Sequence, residues 1–345
     1  MKMIDIDNLV RENVKSLIPY SCARNEFTGS DGTFLDANEN PFGSLNRYPD
    51  PYQRKLKEGI SAIKKVPENS IFLGNGSDEI IDLSFRIFCK PGSDSALTFS
   101  PTYGMYEVAA AINDVRLVTV PLNSDFQIDT GKTMEALKDP SLKLVIICSP
   151  NNPTGNSMRA EDIEMIIRNF RGIVLIDEAY RDFSEQESLK GMTGIRPNLI
   201  VMQTFSKAMG IAAARIGMAF MNPALVGYFN KIKPPYNISA INQVAAMKCL
   251  SRYELVKTRI RLILKERERL ARALEKITII EKVFPSDSNF LLVRTGNADR
   301  IYSELIGRNI IVRNRNRIIP GCIRITVGTK KENDRLLSAL RKISI

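Results

Sequence analysis

The sequence predicts an α/β protein in which helices cover both faces of a mostly parallel sheet, followed by a smaller α+β domain. Apolar strand-like runs alternate with helix-like runs between residues 71 and 203, a pattern typical of βαβ units. From about Ser239 the pattern becomes helical, and it continues as a long charged helix to about Leu274. Strand and helix patterns then mix to the end of the chain. A length of 345 residues also favours about two domains.

The elements follow in order along the chain. A short amphipathic helix is expected within residues 1–20, a loop-rich stretch over 21–52 and a helix over 52–65. The expected strands of the sheet begin at Ile71 and cover 95–100, 116–120, 144–148, 173–176 and 199–203, with helices at 79–88, 103–112 and 160–169. Beyond the helices at 239–256 and to about 274, strands are expected at 290–294, 310–313 and 322–327, and helices at 298–307 and 331–342.

The domain limits follow from these elements. We expect an N-terminal arm over residues 1–44 that forms part of the small domain, a large domain over 45–250 and a small C-terminal domain over 251–345. No Gly/Ser-rich linker separates the two domains, so the long charged helix is expected to join them rigidly.

The composition is that of an ordinary globular protein, with 44% hydrophobic and 25% charged residues. The formal charge of +11 suits nucleic acid, but equally anionic small molecules such as phosphates and carboxylates. Residues 257–269 mix acids with their many bases, which is typical of a solvated helix face.

Histidine is absent, which excludes Ser-His-Asp and Cys-His catalysis and any His-ligated metal site. The five cysteines form no CxxC pair and are odd in number, so they indicate a reducing cytosol and no zinc site. The first residues are too acidic for a signal peptide, and no apolar run is long enough to span a membrane. We therefore expect a cytoplasmic protein without a metal or a membrane partner.

One lysine lies in an unusual run between Gln203 and Phe220. Lys207 follows a strand-like segment and the hydroxyls of Thr204 and Ser206, and small residues separate it from Arg215. A lysine held among apolar groups near another cation has a lowered pKa, which suits imine formation with a carbonyl. The alternative is that Lys207 ends a strand and extends to water.

A glycine-containing turn precedes a predicted helix at residues 74–79, which read GNGSDE. Backbone amides at such a turn hold phosphate together with the helix dipole, and Ser77 adds a hydroxyl. The alternative is that Ser77 or Asp78 only caps the helix.

Two further motifs follow buried strands. The segment SPNNPTG at 149–155 is compatible with a plain loop, but its two asparagines offer rigid amides that could bond a ring hydroxyl. Asp177 ends an apolar strand, where a carboxylate needs a cationic partner, and Tyr180 follows it closely. A protonated pyridine nitrogen would be such a partner. Alternatively, Asp177 is a surface aspartate, or it is a carboxylate that binds a metal-nucleotide complex, although the chain has no GxxxxGK[ST] motif. Together these features match what pyridoxal phosphate requires, namely Asp177, Lys207, Arg215 and the turn at 74–79 as a phosphate site.

At this point the chain resembles a family. It is similar to the fold-type I pyridoxal-phosphate aminotransferases, and within them to the histidinol-phosphate aminotransferases. The matching segments are LDANENPFG (35–43), NRYPDP (46–51), GNGSDE (74–79), PTYGMYE (101–107), SPNNPTG (149–155), IDEAYRDF (176–183), TFSKAMGIAAARIG (204–217), SNFLLVR (288–294) and GCIRITVGT (321–329). The family usually has Gly and Leu where Ala213 and Ala214 stand, a mild departure. The resemblance implies a seven-stranded, mostly parallel sheet and pyridoxal 5′-phosphate as cofactor.

The resemblance also implies residue roles at the cofactor. Lys207 forms the Schiff base and shuttles the substrate proton, Asp177 keeps the pyridine nitrogen protonated, and Tyr103 stacks on the ring. Asn152 and Tyr180 bond the ring hydroxyl. The remaining cofactor contacts go to the phosphate and come from Gly76, Ser77, Asp78, Thr204, Ser206 and Arg215, with Tyr48 reaching in from the partner subunit of a homodimer.

At the substrate, the resemblance implies that Arg324 grips the anionic end, because a guanidinium fork binds carboxylate and phosphate alike. Arg324 could instead belong to a structural ion pair. Arg313 would assist at a phosphate, and Tyr20 and Asn40 would close over the substrate. Arg315 and Arg317 are interpreted as solvated charge.

The implied activity is amino transfer between L-histidinol phosphate and 2-oxoglutarate in histidine biosynthesis. Rivals within the class are a threonine-phosphate decarboxylase, separated by carbon dioxide release from phosphothreonine, and an aromatic or aspartate aminotransferase, separated by a panel of amino acids. A basic nucleic-acid-binding protein would be separated by a salt-dependent DNA shift, but no recognition motif supports it. A cofactor-binding protein without activity is disfavoured by the intact Lys207.

Overall fold

The computed structural model describes residues 4–22, 24 and 32–343. Within them, seven strands form a large sheet. They are β1 (Ile71–Asn75), β2 (Ser95–Ser100), β3 (Arg116–Pro121), β4 (Leu142–Cys148), β5 (Ile173–Asp177), β6 (Leu199–Thr204) and β7 (Ile216–Phe220). Their order across the sheet is β1-β7-β6-β5-β4-β2-β3.

The large sheet is parallel except at one strand. β7 runs antiparallel to both of its neighbours, β1 and β6. The pairs β2–β3, β2–β4, β4–β5 and β5–β6 are parallel. In their registers Cys148 lies opposite Asp177, and Asp177 lies opposite Met202. The carboxyl ends of β4 and β5 therefore lie level at one edge of the sheet, and β6 continues two residues further to Thr204.

Helices cover both faces of this sheet. They are α1 (Glu12–Ser16), α2 (Arg54–Lys64), α3 (Ser77–Phe88), α4 (Met105–Ile112), α5 (Thr130–Ala136), α6 (Ala160–Asn169), α7 (Pro223–Ile232), α8 (Ala240–Leu250) and α9 (Tyr253–Leu274). Alternate residues of β5 enter opposite cores, since Val174 packs on the face that holds α2, α6 and α8, and Leu175 on the face that holds α3, α4 and α7. Burial on both faces explains why the central strands are continuously apolar.

A second, antiparallel sheet forms the smaller domain. Its strands are β8 (Ile280–Val283), β9 (Phe290–Thr295), β10 (Arg313–Asn314) and β11 (Cys322–Thr326), in the order β10-β11-β9-β8. Helices α10 (Ala298–Gly307) and α11 (Lys330–Leu340) pack on it. The long helix α9 contributes Val256 to the core of the large sheet and Leu270 and Leu274 to that of the small domain. It thus packs on both sheets, whereas the rigidity of the joint and the domain limits stay predictions.

The fold class predicted from the sequence is confirmed, and several elements differ in detail. The N-terminal helix is shorter, since a 3-10 helix at Ile6–Leu9 precedes α1, and residues 1–3 lie outside the described part. The loop-rich stretch also includes residues outside it, at 23 and 25–31. The boundary between the two helices expected around residue 256 lies earlier, since α8 ends at Leu250 and α9 begins at Tyr253. β10 covers only the end of the strand expected at 310–313. None of the described helices is long and apolar enough to cross a membrane.

Four elements were missed: β7, β8, α5 and α7. β7 has only five residues and follows the loop of Lys207 without a turn signal, so the sequence shows no boundary between the loop and the strand. α5 buries only Thr133 and contains a glycine, so its apolar stripe is too weak to predict a helix. Its start is fixed by the Asp129 side chain, which accepts a hydrogen bond from the Lys132 amide.

Candidate active site

A cavity of about 390 Å³ opens at the carboxyl ends of β4, β5 and β6, where parallel sheets bind their ligands. The small domain closes one side of it through three arginines. The residues that line it are Ser77, Asp78, Tyr103, Cys148, Asn152, Asp177, Ala179, Tyr180, Thr204, Ser206, Lys207, Arg215, Arg313, Arg315 and Arg324. The cavity therefore gathers residues from all four motifs that the sequence singles out.

Asp177 is the last residue of β5 and is buried, with only 4% of its surface exposed. One carboxylate oxygen accepts a hydrogen bond of 2.7 Å from the Tyr106 hydroxyl, and the other accepts one of 3.0 Å from the Ala179 amide. Burial raises the pKa of this carboxyl to about 6, although the bond from Tyr106 opposes the rise. Asp177 forms no salt bridge within the described residues. Its carboxylate can therefore pair with a cationic group bound in the cavity.

Glu178, the acid that follows Asp177 in the chain, does not line the cavity. Glu178 is buried and accepts hydrogen bonds from the Ser188 hydroxyl and the Gln203 amide, at 2.5 and 2.9 Å. It therefore anchors the crossover between β5 and β6, and of the two adjacent acids only Asp177 faces the cavity.

Lys207 lies in the loop that follows β6. Its Nζ is 5.4 Å from the ring centroid of Tyr180. The residue reaches solvent through the cavity, yet the protein around it lowers the pKa of the amine, first through burial of the ammonium and then through the charge of Arg324. A lowered pKa increases the fraction of neutral amine, which is the form that attacks a carbonyl.

The turn before α3 offers an anion site. The N-cap of α3 is Gly76, no side chain caps the helix, and Ser77 Oγ is buried without a hydrogen-bond partner. The alternative that Ser77 or Asp78 caps this helix is therefore wrong. A Cβ built on Gly76 would lie 2.6 Å from an Arg215 nitrogen, so glycine lets this guanidinium approach the turn.

The other wall of the anion site comes from the lysine loop. The Ser206 amide donates to Thr204 Oγ1 at 3.0 Å, which fixes the turn after β6. Arg215 is in the left-handed conformation (φ 48°) and its guanidinium lies 3.2 Å from Asp78. Two hydroxyls, a helix N-terminus and a cation thus meet at one end of the cavity.

The two asparagines of the turn at 149–155 have different places: Asn151 holds the turn, and Asn152 lines the cavity. The Asn151 side chain donates to the Pro101 carbonyl at 2.9 Å and to Thr154 Oγ1 at 2.7 Å, so it holds the turn. The neighbouring Asn152 lines the cavity, and its side-chain oxygen accepts a hydrogen bond from Arg324 Nη1.

Two tyrosines, Tyr103 and Tyr180, line the cavity. Tyr103 donates its hydroxyl to Asp78 at 3.2 Å, and burial followed by the charge of Asp78 raises its pKa to about 12. Burial also raises the pKa of Tyr180, whose ring packs edge-on against Phe290. Both hydroxyls are therefore protonated near neutral pH.

Four predicted residues are not part of the cavity lining. Gly76 adjoins it as the N-cap of α3, whereas the other three lie elsewhere. Tyr48 is 51% exposed and its ring stacks on Tyr236, with centroids 4.3 Å apart. Tyr20 is 75% exposed and lines a different cavity. Asn40 is exposed and accepts a hydrogen bond from the Phe42 amide. Within one chain, then, the structure does not bring these side chains to Lys207.

Two residues at the site were not recognised in the sequence: Arg315, which lines the cavity, and Tyr106, which is not part of the lining but donates to Asp177. Arg315 was interpreted as solvated charge, which is wrong, because it lines the cavity and its Nε is buried without a partner; Arg317 is exposed and does not line it. Tyr106 was quoted only within a motif. A signal existed, since a tyrosine on the buried face of an apolar helix needs a partner for its hydroxyl.

Comparisons with known proteins agree with this geometry. The family model described as "Aminotransferase class I and II" matches residues 24–340. The chain is similar to a histidinol-phosphate aminotransferase from Parabacteroides distasonis, with 50% identity over 99% of this chain and 100% of that protein. This chain belongs to the class I and II aminotransferase family, among the histidinol-phosphate aminotransferases.

Solved structures of the family match the fold. A histidinol-phosphate aminotransferase from Clostridium acetobutylicum has a TM-score of 0.79 and 28% identity over 86% of this chain and 90% of that one. One from Sinorhizobium meliloti, in complex with pyridoxal-5′-phosphate, has a TM-score of 0.79 and 26% identity over 86% of this chain and 83% of that one. The cofactor of this aminotransferase family is pyridoxal 5′-phosphate.

The residues of the cavity fit that cofactor. The buried, unpartnered Ser77 Oγ and the uncapped α3 terminus suit its phosphate. The buried Asp177 carboxylate, which has no cationic partner of its own in the described residues, suits a protonated ring nitrogen. Lys207 in the same cavity supplies the amine.

Proposed function

We propose that this aminotransferase transfers an amino group reversibly between L-histidinol phosphate and 2-oxoglutarate, giving imidazole-acetol phosphate and glutamate in histidine biosynthesis. The names of the similar proteins support this assignment. The observation that carries it is one cavity with a lysine and a buried aspartate at its floor and arginines that can hold a phosphate or a carboxylate on its wall.

Lys207 is proposed to hold the cofactor covalently and, once released, to move the proton at the amino-bearing carbon of the substrate. When bound, pyridoxal phosphate supplies an electron sink that acidifies this carbon. The lowered pKa of Lys207 keeps part of the amine neutral, as a base requires.

Asp177 is proposed to keep the ring nitrogen protonated. Its carboxylate is buried, so the attraction to a cation is not weakened by water. Asn152 and Tyr180 would bond the ring hydroxyl, and Tyr103 would lie on the ring face. The phosphate would be held by residues of the two turns, namely Gly76, Ser77, Asp78, Thr204, Ser206 and Arg215.

Arg324 is proposed to grip the anionic group of either substrate, with Arg313 assisting at a phosphate. Arg324 lies half-buried over the Phe290 ring, 5.0 Å from its centroid, and forms no salt bridge within the described residues. The alternative of a structural ion pair for Arg324 therefore has no partner there.

A homodimer with shared active sites is also proposed. Tyr48 would reach the cofactor phosphate of the partner subunit, and Tyr20 and Asn40 would close over a substrate. The support is the exposure of Tyr48 together with exposed apolar side chains on the N-terminal arm, at residue 45 and on α8, namely Leu17, Ile18, Leu35, Phe42, Leu45, Ile241 and Val244. Mixing Lys207→Ala with Tyr48→Ala should restore activity in hybrid dimers, and no recovery would contradict a shared site.

Two further expectations remain proposals. A cytoplasmic location is supported by the five cysteines, all of which are free thiols. The domain limits 1–44, 45–250 and 251–345 are supported by the separate cores of the two sheets.

The test of function starts from purified holoenzyme. Histidinol phosphate should convert the visible absorbance of the lysine-bound cofactor into that of pyridoxamine phosphate, and 2-oxoglutarate should reverse the change. Borohydride should fix the cofactor to wild type but not to Lys207→Ala, whose turnover should fall at least about 100-fold. A response to another amine and none to histidinol phosphate would overturn the substrate assignment. Carbon dioxide from phosphothreonine would instead identify the decarboxylase.

A further inference from the structure

The hairpin of β10 and β11 presents two kinds of side chain on its two sides. Asn314 and Asn316 donate their amides to the Asp299 carboxylate of α10, at 2.6 and 2.7 Å. The intervening arginines, Arg313 and Arg315, line the active-site cavity. β10 comprises only Arg313 and Asn314, which point to opposite sides of the strand. The bonds from Asn314 and Asn316 to α10 also hold Arg315, which lies between them in the chain, at the cavity.

Arg313 also faces another cation across the hairpin. It is the direct cross-strand partner of Arg324, and like charges in this position destabilise a sheet. Arg315 continues from the end of β10, where its amide donates to the Cys322 carbonyl at 2.9 Å. Three guanidinium groups therefore share one wall of the cavity.

No carboxylate balances these charges in the described part of the chain. None of the three arginines forms a salt bridge there, and the Nε atoms of Arg315 and Arg324 are buried without hydrogen-bond partners. Burial, followed by the charges of Arg324 and Arg313, lowers the pKa of Arg315 to about 10. Such a wall is unfavourable alone and is stabilised by an anion of more than one charge.

We infer that Arg315 is a specificity-determining residue that joins Arg313 in holding the phosphate of a phosphomonoester substrate, and so favours it over a carboxylate in the same place. This inference rests on the proposed function. A phosphomonoester carries about −1.5 to −2 charge and three acceptor oxygens, so it can accept hydrogen bonds from Arg313 and Arg315 in addition to Arg324. A carboxylate has one charge and two oxygens, which one fork satisfies.

The two half-reactions of amino transfer distinguish phosphate binding from carboxylate binding. Histidinol phosphate presents a phosphate and no carboxylate, whereas glutamate presents carboxylates only. Loss of one fork should therefore weaken the first half-reaction more than the second. Since Arg315 binds the substrate at a distance from the reacting carbon, the change should appear in KM rather than kcat.

The experiment compares Arg315→Gln with Arg317→Gln in holoenzyme. Both variants remove one arginine from the same loop, but Arg317 is exposed and does not line the cavity. Arg315→Gln should raise KM for histidinol phosphate about 10- to 100-fold and that for glutamate less than about 3-fold. Arg317→Gln should leave both unchanged. Arg315→Lys should be intermediate, because lysine keeps the charge but not the fork.

Equal rises for both substrates, or no change for histidinol phosphate, would overturn the inference. A wild-type enzyme that does not react with histidinol phosphate would instead overturn the proposed function. In that case, binding of inorganic phosphate to the holoenzyme by calorimetry still tests Arg315. It should weaken about 10-fold in Arg315→Gln but not in Arg317→Gln, and equal binding would reject the role.

Discussion

The Tyr106 hydroxyl donates a 2.7 Å hydrogen bond to the Asp177 carboxylate, and both groups are buried. This bond stabilises the ionised form of Asp177 and so opposes the rise in its pKa caused by burial. Asp177 is the residue proposed to pair with the protonated ring nitrogen of the cofactor. If Asp177 has this role, Tyr106 is a positioning residue that acts on the cofactor through Asp177.

Tyr106→Phe should weaken cofactor binding about 10-fold and lower kcat, because a hydrogen bond to a charged group is lost without a change in side-chain shape. The measurement is titration of cofactor-free enzyme with pyridoxal phosphate. Tyr302→Phe is the control, since Tyr302 is a half-buried tyrosine of α10 outside the cavity. Equal affinities in all three proteins would contradict the role of Tyr106.

The floor of the active site follows from local sequence. Asp177 and Lys207 come at or just after the ends of strands that read clearly as strands, and parallel strands bring such ends together. The walls do not follow in the same way. Arg315 faces the cavity because of how Asn314 and Asn316 bond to α10, and Tyr106 meets Asp177 because of how α4 packs on the sheet. Both depend on side-chain contacts between separate elements, which the pattern within one element does not predict.

The fold also has parts that follow from local sequence and parts that depend on contacts between elements. The central strands were predicted within a few residues because burial on both faces makes them continuously apolar. β7 was missed because its five residues follow the lysine loop without a turn signal, and its place between β1 and β6 is set by pairing with both. A Cβ on Gly217 of β7 would lie 2.6 Å from the Gly76 backbone, so glycine at 217 lets this strand pack closely against the turn before α3.

The raised pKa of Asp177 predicts a pH-dependent stability of the cofactor-free protein. Below pH 3.8 the group is protonated in both folded and unfolded states, so it costs nothing. As pH rises through about 6, the folded protein must ionise a buried carboxyl, and stability is lost relative to the unfolded chain. Cofactor-free Asp177→Asn should therefore be more stable than wild type at pH 8, by no more than about 3 kcal/mol.

Urea unfolding of the cofactor-free proteins at pH 8 and pH 4.5 measures this difference, which should shrink at the lower pH. Asp125→Asn is the control for a general loss of charge, since Asp125 is exposed. With cofactor present the order should reverse, because asparagine cannot pair with a protonated ring nitrogen. A wild type that stays more stable than Asp177→Asn at pH 8 without cofactor would argue against a costly buried charge.

Ser77 provides a test of the phosphate site in which stability and binding separate. Its buried hydroxyl lacks a partner in the protein, so Ser77→Ala should leave the stability of the cofactor-free enzyme equal or slightly higher. The same change should weaken pyridoxal phosphate about 10-fold, because the hydroxyl is proposed to bond the phosphate. Ser84 lies in the same helix, and its hydroxyl donates to the Ile80 carbonyl at 2.7 Å, away from the cavity. Ser84→Ala should therefore leave cofactor affinity unchanged, and equal losses of affinity in both variants would place the phosphate elsewhere.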